Sequence, residues 1–276
     1  MSANNGVEVI IKLGGSAITY KNELEKENLV AFAKAARIAA DLKGSCIIVH
    51  GAGSFGHFQA HEYGVAKGFG HDVEHTRIGF ARTRLSVTKL NHKVTEFFVS
   101  HGIPAIGLSP CGSWLTSSGH VTTAVVDNLS KLVFAGFVPV LHGDCVLDTD
   151  QGCAILSGDK IIERLVQEMQ PKRVVFLTDV KGIYDRPPEE QGAVLLQQIK
   201  VTKDGDISVP IATNMLGHDV TDGVKGKLKS ISNIVISSNG LTKVFVSNIL
   251  SVSAYMSCIE GCTSQGEGTE VKLAVE

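Results

Sequence analysis

Two glycine-rich segments near the start of the chain have the residue types that bind phosphate. Lys12 is followed by Leu-Gly-Gly-Ser, where two glycines let the backbone approach a ligand and consecutive N–H groups can cradle phosphate oxygens. The second segment, over residues 50–57, reads His-Gly-Ala-Gly-Ser-Phe-Gly-His. An imidazolium at His57, where this segment meets a predicted helix, can bind a phosphate with help from the helix dipole. We expect the two segments to share one crevice and to hold two phosphate groups that face each other.

The second segment also matches the Gly-x-Gly-x-x-Gly fingerprint of dinucleotide-binding turns, beginning at Gly51. Acidic residues, Asp72 and Glu74, follow at about the 20-residue spacing of that fingerprint. Two observations weigh against it: the fingerprint normally follows the first strand of its unit, and His57 stands where a dinucleotide-binding helix would pack. Dinucleotide binding is therefore the weaker alternative.

Carboxylates follow two short apolar runs in the middle of the chain, in His-Gly-Asp144 and Ser-Gly-Asp159. An aspartate at a helix start is usually an N-cap. The alternative for Asp159 is that it orients cationic groups around a transferring phosphate. Both interpretations remain open from these residues alone.

Two later segments can contribute to a nucleotide site. The turn over residues 178–184 follows the apolar strand-like run 173–177 and can take the sugar and base of a nucleotide. Residues 219–227 precede a predicted helix, and Lys225 and Lys227 can reach a phosphate from its start. A solvated run of charges is the alternative for these lysines.

Short apolar runs alternate with helical patterns along most of the chain. Such alternation predicts a mainly parallel sheet covered by helices on both faces, with ligands beyond the carboxyl ends of its strands. A hairpin turn is predicted over residues 149–152, and the alternating pattern over 270–274 predicts a strand that closes a sheet edge. We expect one domain with one continuous sheet, in which residues 1–170 form an acceptor lobe and residues 171–276 a nucleotide lobe.

The composition excludes several classes of protein. The 276 residues carry a net charge of −2, which offers no electrostatic footprint for nucleic acid or anionic membrane. No stretch reaches the roughly 18–20 apolar residues of a membrane-spanning helix, and the polar N-terminus does not resemble a secretory signal. We therefore expect a cytoplasmic protein. The six cysteines form no Cys-x-x-Cys pair, which favours buried free thiols.

Taken in order, the six polar segments resemble those of the amino acid kinase superfamily. They are KLGGS, HGAGSFGH, HGD, SGD, TDVKGIY and DVTDGVKGK, and they extend from Lys12 to about Lys229. The resemblance implies an α/β, three-layer αβα sandwich and ATP-dependent phosphorylation of a phosphate or carboxylate. GSFGH implies more specifically that isopentenyl phosphate is phosphorylated to isopentenyl diphosphate. The alternatives are a related kinase for another small phosphate, phosphonate or carboxylate, and a nucleotide- or nicotinamide-binding protein without kinase activity.

The resemblance also implies roles for individual residues. Lys21 would stabilise charge on the transferring phosphoryl group, His57 would bind the acceptor phosphate, and Asp159 would align Lys12 and Lys227. Gly53 would line the meeting point of donor and acceptor. The residues implied for ATP are Lys12, Gly14, Gly15, Ser16, Gly53, Thr178, Asp179, Ile183, Tyr184, Gly223 and Lys227, and those for the acceptor are Ala52, Gly53, His57 and Gly158.

Two residues depart from the family pattern. Ala52 stands where the family often has glycine and narrows the backbone approach, and Asp222 places a carboxylate near anionic phosphates where glycine is common. The resemblance implies Mg²⁺ bound mainly by ATP oxygens, without a metal site on the protein, and a homodimer. An apolar pocket for the isopentenyl chain is expected from the helices after His57 and from Arg77, with four candidates: Phe58, Val65, Ile78 and Phe80.

Overall fold

The computed structural model describes residues 6–208, residue 211 and residues 223–274. Strands and helices alternate over part of these residues, as the apolar pattern predicts, whereas three strands follow one another without a helix over residues 105–124 and again over residues 138–156. The strands are β1 (Val9–Leu13), β2 (Cys46–His50), β3 (Ala105–Leu108), β4 (Trp114–Ser117), β5 (His120–Ala124), β6 (Val138–His142), β7 (Asp144–Asp148), β8 (Gly152–Leu156), β9 (Arg173–Thr178), β10 (Gln198–Val201), β11 (Lys243–Asn248) and β12 (Thr269–Leu273). The helices are α1 (Gly15–Ile18), α2 (Leu29–Asp41), α3 (His57–Glu62), α4 (Val73–Ser100), α5 (Asp127–Phe134), α6 (Gly158–Met169), α7 (Gly223–Ser237) and α8 (Val252–Ile259).

Eight strands form one sheet in the order β10-β12-β11-β9-β1-β2-β6-β3. The neighbours are parallel except for β11 and β12, which are antiparallel. β1 lies between β2 and β9, with Leu13 in register with His50 on one side and Leu177 on the other. The residues that follow these three strands therefore meet at one edge of the sheet, where the predicted phosphate-binding segments begin.

The two faces of this sheet carry separate apolar cores. Along β1, Val9 and Ile11 belong to a core with residues of α2, α4 and α8, whereas Ile10 belongs to the opposite core with residues of α6 and α7. This division follows from the geometry of a strand, in which successive side chains point to opposite faces. The three-layer αβα sandwich with a mainly parallel sheet is thereby confirmed.

The eight-stranded sheet takes strands from both sides of residue 170. β1, β2, β3 and β6 precede that position, and β9 to β12 follow it. The assignment of residues 1–170 to an acceptor lobe and 171–276 to a nucleotide lobe stays a prediction.

A second sheet, of four strands in the order β5-β4-β7-β8, was not anticipated. The predicted turn over residues 149–152 joins β7 to β8, which pair antiparallel. Asp148 stabilises this hairpin and its neighbour because its carboxylate accepts hydrogen bonds from the backbone N–H groups of Gly119 and Gln151, at 2.8 and 3.0 Å. The prediction that residues 270–274 close a sheet edge is wrong, since β12 lies between β10 and β11.

The remaining general features concern membranes and thiols. Among the described residues, no helix is both long and apolar enough to cross a bilayer. All six cysteines are free, and four are buried as predicted, whereas Cys111 is half-buried and Cys262 is exposed.

Candidate active site

The two glycine-rich segments lie against each other beyond β1 and β2. A Cβ placed on Gly51 would lie 2.8 Å from the Gly15 nitrogen, and one placed on Gly15 would collide with the backbone of Gly53. Gly53 has a φ of +52°, a conformation that glycine adopts without a steric penalty. The contact therefore requires glycine in both segments. It brings the backbone of the predicted nucleotide segment against that of the predicted acceptor segment.

Lys12 and Asp159 form an ion pair at the same edge of the sheet. Lys12 lies on β1, and its Nζ contacts the carboxylate of Asp159 in the first turn of α6. The two side chains are only 13% and 16% exposed. Asp159 does not cap α6, because the N-cap is Ser157, whose Oγ accepts from the Lys160 N–H at 3.3 Å. The interpretation of Asp159 as an N-cap is wrong, and the aspartate instead orients a lysine.

Gly158, predicted for the acceptor side, opens α6 beside this ion pair. Its Cβ position lies 3.6 Å from both the Lys12 Cε and the His50 carbonyl oxygen. α6 therefore begins directly over the ends of β1 and β2.

Lys21 reaches the turn after β9 from the loop that follows α1. Its Nζ lies 2.8 Å from the Asp179 carboxylate, which also accepts a 3.0 Å hydrogen bond from the Ser16 hydroxyl. Burial acts to raise the pKa of the Asp179 carboxyl, but Lys21 and Ser16 outweigh it and hold that pKa below its usual value. Asp179 thus anchors two residues of the predicted phosphate segment, and its contact with a nucleoside stays a prediction.

His57 is the first residue of α3 and is half-buried. A 3-10 turn over Gly53–Phe55 separates it from the glycine contact. The Ala52 methyl group faces Gly56, whose Cβ position lies only 2.6 Å away. Ala52 therefore packs against the turn that brings His57 to the site. The roles of Ala52 and His57 towards an acceptor stay predictions.

The predicted nucleoside residues lie in and after the end of β9. The Thr178 side chain is buried and donates its hydroxyl to the Val180 carbonyl oxygen at 2.9 Å. Ile183 is buried in the core shared with α6 and α7, and its N–H donates to the Thr269 hydroxyl at 2.8 Å. Tyr184 is half-buried. The first two side chains therefore shape this turn from beneath.

The last predicted ATP residues belong to α7. Gly223 is the first residue of this helix, and Lys227 lies on its next turn with a half-buried side chain. α7 packs on α6, where Asn233 Nδ2 donates to Glu163 at 3.0 Å. Asp222 and the segment before it lie outside the described residues. The alignment of Lys227 by Asp159 stays a prediction.

A buried pair of histidines lies beneath the acceptor segment. His50 and His142 end the neighbouring strands β2 and β6 in register, and their rings stack with centroids 5.5 Å apart. Each Nδ1 hydrogen-bonds the carbonyl oxygen of the following glycine, at 2.9 Å for Gly51 and 3.0 Å for Gly143. His50 therefore has a structural role at the end of β2. Sequence reasoning missed the pairing, although the repeated His-Gly at two strand ends was a signal for it.

Polar groups from α4 fix this pair. Asn91 Nδ2 donates to His50 Nε2 at 3.2 Å, so the proton of the neutral His50 ring is assigned to Nδ1. Asp144 accepts from Arg84 Nε at 3.1 Å, and its carboxylate lies 3.8 Å from His142 Nε2. Burial lowers the pKa of His142, and the opposing effect of Asp144 is smaller. Both rings are therefore held neutral under the acceptor segment.

We expect His50 to make the protein less stable in acid. Burial and the neighbouring His142 lower the pKa of His50 from 6.5 to about 3. Between these values the unfolded chain binds a proton at this site and the folded protein does not, so stability rises with pH. The contribution is complete above pH 6.5 and is lost as pH falls towards 3, with a slope of at most about 1.4 kcal/mol per pH unit. Urea unfolding at a series of pH values measures it.

The matched variants for this measurement are His50→Asn and His120→Asn. Asparagine at position 50 offers an amide donor for the Gly51 carbonyl and does not titrate, so its curve should be flatter than that of the wild type. His120 is exposed, and its variant should follow the wild type. Parallel curves for His50→Asn and the wild type would show that His50 is not the source of the acid sensitivity.

Comparison with known proteins gives one family. Residues 8–248 match the model of the amino acid kinase family. The chain is 41% identical to an isopentenyl phosphate kinase of Arabidopsis thaliana, over 84% of this chain and 85% of that protein. It is 34% identical to an isopentenyl phosphate kinase of Methanothermobacter thermautotrophicus, over 81% and 85%. A solved isopentenyl phosphate kinase structure superposes with a TM-score of 0.81 and 29% identity, covering 96% of this chain and 100% of that one.

Proposed function

Because this chain belongs to the amino acid kinase family, we propose that it transfers the terminal phosphoryl group of ATP to isopentenyl phosphate, giving isopentenyl diphosphate. The chain is a phosphotransferase by its family, and its relatives are named isopentenyl phosphate kinases. One structural observation carries the choice of a phosphate acceptor. The nucleotide segment, with Lys12, is in backbone contact with a second glycine segment that ends in His57.

Phosphoryl transfer between two anions requires alignment in line and neutralised charge rather than a strong general base. Lys12, held by Asp159, would neutralise the phosphates of ATP from the end of β1. Lys21, in the loop that follows α1, would approach the transferring phosphoryl group when it leaves Asp179. His57 would bind the phosphate of the acceptor, whose own oxygen is the nucleophile. The backbone at Gly53 would line the point where the two phosphates meet.

An apolar cluster beside the acceptor segment supports a substrate with a hydrocarbon chain. Its buried members are Val65, Cys145 and Cys153, and Phe80 and Ile155 are among the half-buried residues packed on them. The helix α3, which His57 opens, leads directly into the 3-10 turn that contains Val65. Of the four candidates for an isopentenyl pocket, Val65 and Phe80 belong to this cluster, whereas Phe58 and Ile78 are both 51% exposed.

The residues at this edge fit ATP better than a protein-bound metal. In the short helix α1 the N–H groups of Ala17 and Ile18 donate to the Gly14 carbonyl oxygen, so those of Gly15 and Ser16 would be the donors to phosphate beside Lys12 and Lys21. The described residues contain no cluster of three or more potential ligands for a metal ion. Asp159 and Asp179 are both paired with lysines. Mg²⁺ would therefore be bound mainly by the oxygens of ATP, and none of the steps above depends on it.

Assembly and location are further parts of the proposal. We assign the protein to the cytoplasm and to isoprenoid precursor synthesis, as a homodimer. Exposed apolar side chains near the ends of α4 and α5 support association with a second copy, since Val99 is 55% and Phe134 88% exposed. Neither nucleic acid nor a membrane is a proposed partner.

Consumption of ATP across a set of acceptors tests the proposed function. The set contains isopentenyl, dimethylallyl and geranyl monophosphates together with amino acids. We expect turnover with isopentenyl phosphate and none with amino acids. A carboxylate acceptor favours an arginine near the acceptor segment, and the Arg84 guanidinium is already bound by Asp144 and Ser109. Turnover of amino acids alone would indicate a carboxylate kinase. ATP binding without any turnover would indicate a nucleotide-binding protein. Asp72 argues against a dinucleotide site, because it caps α4 and is not available as the acidic residue of that fingerprint.

Replacing Lys21 by alanine should lower kcat more than it raises KM. The Lys21 side chain is 68% exposed and its ammonium is paired with Asp179. We therefore expect Lys21 to stabilise the transition state, when it leaves Asp179, more than to bind ATP in the ground state. We expect kcat to fall about 100-fold, with KM for ATP changed by less than about threefold. Lys26→Ala is the control, because Lys26 is an exposed lysine in the same loop and its replacement removes the same charge. An increase in KM at unchanged kcat would contradict this role.

A further inference from the structure

One side-chain hydroxyl lies between the two glycine segments, whose backbones are also joined by a hydrogen bond from the Gly51 N–H to the Leu13 carbonyl oxygen at 2.9 Å. Thr19 follows α1 directly and is only 2% exposed. Its Oγ1 donates to the Gly15 carbonyl oxygen at 2.8 Å and accepts from the Ser54 N–H at 3.0 Å. A Cβ on Gly53 would collide with this same oxygen. Thr19 is therefore hydrogen-bonded to the nucleotide segment on one side and to the acceptor segment on the other.

Few side chains can make this connection. The site needs one group that gives a proton to a carbonyl and takes one from an N–H, and the hydroxyl of serine or threonine does both in the smallest volume. Both partner atoms belong to the backbone, so the two hydrogen bonds fix main-chain positions rather than side-chain rotamers. The Thr19 backbone is itself held by an antiparallel bridge to Glu27. The hydroxyl is thus a fixed reference for both segments.

We propose that Thr19 is a positioning residue that sets the distance between the nucleotide and the acceptor. This inference rests on the proposed function, because it takes the segment of Gly15 to bind ATP and that of Ser54 to bind the acceptor. Phosphoryl transfer depends steeply on alignment, and a displacement of about 1 Å can cost about 100-fold in rate. Without the hydroxyl each segment keeps its own binding groups and the backbone hydrogen bond between Gly51 and Leu13 remains. Ser54, in the turn that leads to His57, loses its hydrogen bond to Thr19 and is therefore less tightly fixed relative to the nucleotide segment.

The decisive variant is Thr19→Val, which keeps the shape of threonine and removes both hydrogen bonds. We expect kcat to fall about 30- to 300-fold, with KM for ATP and for isopentenyl phosphate each within about threefold of the wild type. Thr19→Ser, which restores the hydroxyl, should recover kcat to within about threefold. All assays are made at a temperature where circular dichroism shows each variant folded.

Thr242→Val controls for the loss of a buried threonine hydrogen bond. Thr242 is also 2% exposed, and its Oγ1 donates to the Pro171 carbonyl oxygen at 2.8 Å. It directly precedes the amino end of β11, whereas the glycine segments follow the carboxyl ends of β1 and β2. We expect this variant to lose thermal stability with kcat unchanged. The proposal is overturned if Thr19→Val behaves like Thr242→Val, losing stability alone, or if it raises KM without lowering kcat.

A second measurement does not depend on the identity of the acceptor. Amide hydrogen exchange is followed by mass spectrometry in the peptide that covers residues 50–58, with and without a non-hydrolysable ATP analogue. We expect the analogue to protect this peptide in the wild type and in Thr19→Ser, and to protect it much less in Thr19→Val. Equal protection in Thr19→Val overturns the connection through Thr19. Failure of the proposed function would appear separately, as a wild type that does not phosphorylate isopentenyl phosphate.

Discussion

Replacing Lys12 by methionine should lower kcat by about three orders of magnitude. The Lys12 side chain is 13% exposed and its ammonium is paired with Asp159, so it is held in place before any substrate binds and acts where water screens it little. Methionine keeps an unbranched chain of similar length and removes only the charge. Steady-state kinetics with ATP and isopentenyl phosphate measures the effect.

Two further variants separate chemistry from folding in this experiment. Lys12→Met leaves the Asp159 carboxylate without its partner, which itself destabilises the protein. The double variant with Asp159→Asn removes that charge, and we expect it to recover stability but not kcat. Glu8→Gln is the control, because Glu8 pairs with Lys172 beside the amino end of β1 and is 42% exposed. Recovery of activity in the double variant would exclude a catalytic role for the Lys12 charge.

Replacing His57 by alanine should abolish productive use of the acceptor while ATP still binds. The imidazole is the ionisable group at the end of the acceptor segment, and a charge-assisted contact with phosphate is among the stronger hydrogen bonds. We expect kcat/KM for isopentenyl phosphate to fall by at least about 100-fold, with the affinity for ATP within about threefold. Isothermal titration with ATP and kinetics with varied acceptor make the comparison.

His61→Ala is the matched control for this prediction. His61 lies one turn further along α3 and is exposed, so its loss should leave both substrates unaffected. Equal losses of ATP and acceptor binding in His57→Ala would indicate that the histidine supports the fold of the segment. An unchanged kcat/KM would remove His57 from the site.

The order of the strands and the contacts between distant residues could not be predicted from local patterns. Apolar runs predicted the central strands β1, β2, β6 and β9 of the large sheet well, because those strands are buried on both faces. β5, by contrast, has no buried residue, so its polar sequence carries no strand signal. The alternation over residues 270–274 predicted a strand but not its neighbours, since periodicity encodes exposure rather than pairing.

The candidate site shows the same limits. Glycine spacing identified both phosphate segments, because two backbones can approach closely only where glycines stand, and glycines are visible in the sequence. The ion pair of Lys12 with Asp159 required a comparison of segments far apart in the chain, which the resemblance supplied. The role of Thr19 could not be predicted from the sequence, because a lone threonine after a short helix is common and its two hydrogen-bond partners are backbone atoms.

The second sheet is joined directly to the residues of the candidate site. Cys145, Cys153 and Ile155 of the apolar cluster lie on β7 and β8, and Lys12 and the glycine segments belong to or follow strands of the large sheet. β8 runs directly into α6, whose first turn carries Asp159, the partner of Lys12. Substitutions at sites that share partners usually have non-additive free-energy effects. A change in the cluster that displaces β8 would therefore also displace Asp159, which couples the size of the cluster to the orientation of Lys12.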